Sequence, residues 1–402
     1  MIVALLALIA PLVCERIGIP IVVGEIIFGL IVGLAFYIYI WLVEDTTIEF
    51  GEALTFLALI GLIFLMFLAG LEIDLNIIMS QGLRTVLKAV VIFELTLLLS
   101  VLIIRVLSSL LEELANIDTF FLALVMSTTS VGVVVPTLRE RGTTKTPTGQ
   151  SILLSAIMAD FATMTLLMVY TIEQSFPSQG SGFTALPVLF LVFLFTLFIA
   201  IYLVGRTAIW RFPETLSRFF RMDDPTEIGV RASIAILFIF VAISAVLADE
   251  ASKSIAILGA FLAGVVITLI FPQRKLLEKQ LSGLGFGFFI PFFFIHLGLT
   301  FDFASVLEAQ YLLFFIPVLL LAAYAVKVLP SLIFLPDYKS RETLGIGLLL
   351  SARLSLIIAA AEVGFEMGLI DADLRSAIIL VGVITSVLSP LLFRKVFPEV
   401  KG

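Results

Sequence analysis

Polar residues are so sparse along this chain that the apolar positions lose the three-to-four-residue spacing of a surface helix and fuse into long runs. A run of about 20 apolar residues is long enough to cross a bilayer as a helix. On that measure the pattern predicts thirteen spans, at 1–14, 19–43, 53–73, 84–110, 118–138, 149–172, 184–206, 228–248, 253–271, 284–301, 311–335, 343–365 and 374–397. Asp160 is the plainest interruption. It falls in the stretch SAIMADFATM, about eleven residues into the span 149–172 and so near the middle of the membrane. A carboxylate there costs about 2.5–3.5 kcal/mol on insertion scales, and a chain that keeps one needs a reason.

Composition agrees with the pattern. The 402 residues are 61% hydrophobic and 14% charged, with a mean hydropathy of +1.21. A soluble domain is about 25% charged, so the expected class is an all-α polytopic membrane protein whose surroundings are a lipid bilayer. One cysteine, Cys14, and one histidine, His296, exclude a disulfide framework and a Cys- or His-rich metal site. The GLGFGF run from 283 lacks the strand–turn–helix setting and basic partners of a nucleotide site. No enzyme, no resident cofactor and no nucleic-acid partner is expected. Met1 opens an apolar segment without a basic n-region, which argues against a cleavable signal.

Charge sets the orientation. Of the 24 Lys and Arg, Arg105, Lys253 and Arg375 lie on one side of the predicted spans and Lys327 and Arg353 lie inside them; the other 19 share the opposite side. The positive-inside rule then places the N-terminus outside and the C-terminus in the cytoplasm, as an odd number of spans requires. The expected location is a prokaryotic plasma membrane.

An internal repeat runs through the pattern. PIVVGEIIFGLIVG from 20 resembles IAILGAFLAGVVI from 255, matching Gly24 with Gly259 and Gly29 with Gly264. FLMFLAGLEIDL from 64 resembles FFFIHLGLTFDF from 292, matching Gly70 with Gly298 and Asp74 with Asp302. LALVMSTTSVGVVV from 122 lines up with IGLLLSARLSLIIA from 346, matching Ser127 with Ser351. The separations are 235, 228 and 224 residues, and the order is shared. Residues 1–172 then form one six-span repeat and 228–402 a second, with a linker helix and cytoplasmic loop over 173–227. A single linking span makes the second repeat enter from the opposite face, the signature of secondary transporters built on inverted repeats.

Such transporters bind their cargo near the midplane, where discontinuous helices from both halves meet. The candidate break in the first half is MSTTSVGVVVP, 126–136, with Thr128, Thr129 and Ser130 followed by a glycine and a proline. Its mate is LSARLSLII, 350–358, with Ser351, Arg353 and Ser355. Unwound backbone and hydroxyls can ligate a cation, and half-helix ends supply partial charge; the plainer alternative is hydroxyls bonding back to the preceding turn. Asp160 can hold a proton or a desolvated monovalent cation but not both, which is the requirement for exchange. Lys327 reads either as a proton carrier or as a tether to Glu94 or Glu25. Arg353 does not release a proton and is read as neutralising a helix end or an acid. Glu25, Glu72 and Glu94 are secondary acids.

In that order, PIVVGEIIFGLIVG, FLMFLAGLEIDL, STTSVGVVVPTLRERG and LLSAIMADFATM resemble the monovalent cation:proton antiporter-2 family, the Kef-like and NapA-like branch of the NhaA-fold superfamily. The resemblance covers nearly the whole chain. It implies thirteen transmembrane helices in an NhaA-like fold with crossing broken helices, a homodimer, and a mobile core that carries the ion by elevator-like alternating access. It places the ion-binding carboxylate on Asp160, the broken helices on 128–135 and 351–358, and the core lysine on Lys327. In Kef-like members it also implies a cytoplasmic regulatory domain or subunit. One departure matters: electrogenic relatives carry Asp-Asp here and others Asn-Asp or Gln-Asp, whereas this chain has Ala159 before Asp160. With a single titrating acid the expectation is electroneutral exchange of Na⁺ (or K⁺) for H⁺, about one for one. A Kef-type ligand-gated K⁺ efflux system is the alternative. A Na⁺-coupled organic anion symporter ranks lower, because it would want more than one Na⁺ site.

Overall fold

A computed structural model describes residues 2–17, 19–43, 51–71, 83–110, 117–175, 227–247, 252–270, 274–301, 303 and 310–397, and the described regular structure is helical throughout. The helices are α1 (Ile2–Ile17), α2 (Ile21–Val43), α3 (Glu52–Leu71), α4 (Leu83–Leu110), α5 (Thr119–Ser127), α6 (Val131–Glu140) and α7 (Pro147–Ser175). After them come α8 (Glu227–Leu247), α9 (Ser252–Ile270), α10 (Arg274–Leu284), α11 (Ile290–Leu299), α12 (Gln310–Ser331), α13 (Ser340–Leu350), α14 (Ser355–Glu366) and α15 (Ala372–Val396). Each predicted span meets a helix or a broken pair except 184–206, which lies outside the described residues. Among the described residues, eight stretches are long and apolar enough to cross a bilayer, and the pair α13–α14, bent by 40°, makes a ninth.

The helix ends follow local chemistry. Asp118 caps α5 by accepting from Phe121 N–H at 2.8 Å, and Asp371 caps α15 from Leu374 N–H at 2.8 Å, each satisfying an orphan donor of the first turn. The expected broken segments are shorter than the sequence suggested. Only residues 128–130 interrupt α5 and α6, and only 351–354 interrupt α13 and α14. Gly132 and Pro136, read as helix breakers, both lie inside α6. The break sits instead at the hydroxyl residues, where Ser130 takes an extended conformation (φ −131°, ψ 105°).

The chain packs as two compact units, and each draws segments from both halves of the sequence. One comprises Met1–Phe50, Leu75–Leu167 and Phe294–Gly402; the other comprises Gly51–Asp74 and Met168–Phe293. In the first, α4 packs on α5 and α12, α12 on α13 and α15, and α14 on α15 and α5. Its α2 and α11 approach closely through Gly29 and Gly298. A Cβ on Gly29 would stand 2.4 Å from Ile295 O, and one on Gly298 would stand 2.5 Å from Ile26 O. In the second unit α9 packs on α3 and α8. There Gly70 and Gly264 make the close approach: a Cβ on Gly70 would stand 2.2 Å from Phe261 O, and one on Gly264 would stand 2.1 Å from Phe67 O. No side chain fits at any of the four.

Candidate functional site

The site is built where the two breaks meet α7 and α12, all within the first unit. The last turn of α5 leaves carbonyls without intrahelical partners, and they carry the negative end of the helix dipole. Two basic side chains are aimed at them. Lys327 of α12 donates to Ser127 O at 2.6 Å and to Thr129 Oγ1 at 2.8 Å. Arg353, from the second break, donates through Nη2 to Met126 O at 2.8 Å and Ala323 O at 2.9 Å, and through Nη1 to Ser351 O at 3.3 Å. Both are deeply buried, at 2% and 0% exposure. Thr129 closes the arrangement by donating to Leu350 O at 3.3 Å, which joins the first break to the end of α13.

Asp160 faces the start of α6. Its Oδ2 accepts from Val131 N–H at 3.3 Å, the first residue of that helix. A carboxylate is favoured there because the positive end of a helix dipole and its unsatisfied N–H groups point at it. Asp160 is the fourteenth residue of the 29-residue α7, which puts it mid-helix. The site therefore opposes one carboxylate at the N-terminal end of α6 to two basic side chains at the C-terminal end of α5, across three residues of unwound chain.

The hydroxyls divide by role. Thr128 bonds back to Val125 O at 2.8 Å and Ser351 back to Gly347 O at 2.8 Å, so these two follow the plainer alternative of satisfying the preceding turn. Ser130 holds the N-cap position of α6 without a side-chain cap bond, and Ser355 opens α14. Lys327 is not tethered to Glu94 or Glu25: it is committed to the end of α5, Glu94 lies exposed on α4, and Glu25 is buried on α2 next to Gly24, which packs against Cys14 Sγ. Glu72 lies outside the described residues.

Two contributors were missed from sequence. Thr163 Oγ1 stands 3.3 Å from Ser127 Oγ, and its position three residues after Asp160, on the same face of α7, was the available signal. Thr385 of α15 donates to Gly382 O at 3.1 Å and lies 3.5 Å from Arg353 O; nothing in its spacing marked it. Among the described residues, no group of three or more His, Cys, Asp or Glu side chains is placed to hold a resident metal.

The family model described as "Sodium/hydrogen exchanger, transmembrane" matches residues 3–394. The chain belongs to this exchanger family. Within the family's range, a putative Na⁺/H⁺ antiporter, YjbQ, of Bacillus subtilis (strain 168) is 35% identical over 98% of the chain, which spans 62% of that relative's length. The Na⁺/H⁺-K⁺ antiporter GerN of Bacillus cereus is 28% identical over 95% of the chain and 91% of its own length. Among solved structures, the sodium proton antiporter MjNhaP1 of Methanocaldococcus jannaschii at pH 8 superposes with a TM-score of 0.61 at 16% identity, covering 99% of this chain and 97% of the other. That likeness establishes a shared fold.

Proposed function

We propose that this exchanger-family chain is a secondary active antiporter that exchanges Na⁺ (or K⁺) for H⁺ across a prokaryotic plasma membrane. The observation that carries the proposal is Asp160 at the N-terminal end of α6, beside two broken helices. A proton or a desolvated cation neutralises that carboxylate, and the two exclude one another. Lys327 is held by Ser127 O and Thr129 Oγ1, and Ala159 removes the second acid. One titrating group supports electroneutral exchange, about one proton per cation. This reading needs no gating ligand, which sets it ahead of the Kef-type efflux alternative. The name of the Bacillus cereus relative keeps K⁺ beside Na⁺ as cargo.

The finer architecture belongs to the same proposal: thirteen spans in two inverted repeats, N-terminus outside, assembled as a homodimer with an elevator-like core, in the cation:proton antiporter-2 branch. The glycine contacts support the repeat. The sequence pairs Gly29 with Gly264 and Gly70 with Gly298. A two-fold relation between the halves then carries a Gly29–Gly298 contact onto a Gly264–Gly70 contact, and both close approaches occur, one in each unit.

The test is purified protein in proteoliposomes under an imposed ΔpH, with Na⁺, K⁺ or Li⁺ added in turn. Cation-dependent collapse of ΔpH is expected for the wild type and not for Asp160→Asn. A variant that still dissipates the gradient in response to cation would remove Asp160 as the carrier.

A further inference from the structure

Among the described residues, Glu94 is the one secondary acid weighed for this site that lies exposed. It is the twelfth residue of α4, in the apolar stretch bounded by Lys88 and Arg105. It lies two or three residues from the middle of that stretch, about 4 Å along the axis at 1.5 Å per residue. Around it runs an exposed stripe of Leu87, Val91, Leu95, Leu98, Leu102 and Val106, each 39–64% exposed. The spacing of four, four, three, four and four is that of a single helix face, and Glu94 falls on it, also exposed. The opposite face of α4 buries Ala89, Ile92, Phe93, Thr96 and Ser100.

We propose that this face of α4 is a docking surface for a transmembrane helix of a different protein, one that carries a Lys or Arg at mid-depth to meet Glu94. An acid at this depth on a lipid-facing stripe is costly unless something pairs with it. A lipid headgroup stays at the interface and does not reach the midplane. A second copy of this chain does not supply the charge either. Copies related by a two-fold axis along the membrane normal present each residue at its own depth; the other Lys and Arg of the predicted spans, Lys88 and Arg105 of α4 among them, sit toward the span ends, and the two that lie deeper, Lys327 and Arg353, are 2% and 0% exposed. Charge complementarity therefore selects a basic helix from outside, with the leucine and valine stripe supplying the packing face on either side. Interhelical polar contacts of this kind are worth enough in a bilayer to bias pairing by about tenfold.

The surface is separate from the ion site, so the test does not depend on exchange. The full chain, labelled with a fluorescence donor, is reconstituted in neutral-lipid vesicles with acceptor-labelled helical peptides of about 20 apolar residues. Two peptides are compared, identical except for a central Lys or a central Leu. The Lys peptide is expected to half-saturate energy transfer at about tenfold lower mole fraction than the Leu peptide on the wild type. That preference is expected to vanish in Glu94→Leu, which folds because the site is exposed, and to survive in Asp160→Asn. Glu94→Lys is expected to reverse it, favouring a central-Asp peptide. Equal binding of the Lys and Leu peptides to the wild type, or a preference that persists in Glu94→Leu, would overturn the proposal.

Discussion

Arg353 and Lys327 converge on one helix end, and that convergence accounts for two basic side chains buried within apolar spans. The terminal carbonyls of α5 would otherwise be buried without donors. Arg353 spreads three carbonyl acceptors over two nitrogens, Nη2 to Met126 O and Ala323 O and Nη1 to Ser351 O, a fork that the single ammonium of a lysine does not reproduce. Arg353→Gln is expected to destabilise the protein by at least about 3 kcal/mol, since each hydrogen bond to a charged group contributes about 1.5–3 kcal/mol. The check is the thermal midpoint in detergent, and an unchanged midpoint would mean the carbonyls find other donors. Lys327→Gln keeps an N–H donor and is expected to cost less, about 1–3 kcal/mol. At this scale the sequence was informative where chemistry was costly. Asp160, Lys327 and Arg353 stand out because an apolar span tolerates few such residues, whereas Thr163 and Thr385 do not stand out because a hydroxyl in a membrane helix is commonplace and its partner is set by packing.

The helices show where reading by residue type misleads. Gly132 and Pro136 suggested an interruption running to 135, yet α6 begins at Val131. Proline is costly in a helix interior because it lacks an N–H, but that cost alone does not place a break; here the unwound segment is centred on Thr129, which is tied to Lys327 and to Leu350 O. The close helix approaches were legible as matched glycines, though which glycine faced which was not. Gly298→Val and Gly264→Val are each expected to lower stability by about 1–3 kcal/mol or more, because the added atoms meet backbone that has nowhere to go. Gly283→Ala, with nothing within 4 Å of its Cβ position, is expected to be neutral or mildly stabilising. Equal melting of all three variants would contradict the packing. Outside the spans, Asp337 ties the loop after α12 to Lys88 and Arg84 of α4. The hydrogen bond from Lys88, with the charges of Lys88 and Arg84, holds its carboxyl below the ordinary carboxylate range. A lowered carboxylate contributes stability that is complete above about pH 4 and is lost as pH falls through its folded value. Asp337→Asn is therefore expected to melt slightly below wild type at neutral pH, by about 1 kcal/mol or less, and the gap is expected to close as the medium is acidified below about pH 4.

For the molecule as a whole, hydropathy made the fold class and most spans legible because a bilayer imposes one length and one polarity on every crossing segment. The grouping into units was not legible, because Gly51–Asp74 joins Met168–Phe293 through packing that no local pattern encodes. The proposed exchange rests on one carboxylate taking either a proton or a cation. The direct measurement is the half-saturating cation concentration for ΔpH collapse as a function of pH. A single shared carboxylate predicts that, on the acid side, this concentration rises tenfold for each unit that pH falls, one proton displacing one cation. A hundredfold rise per unit would require a second proton, and no dependence on pH would separate the two sites; either result would contradict exclusive exchange at Asp160.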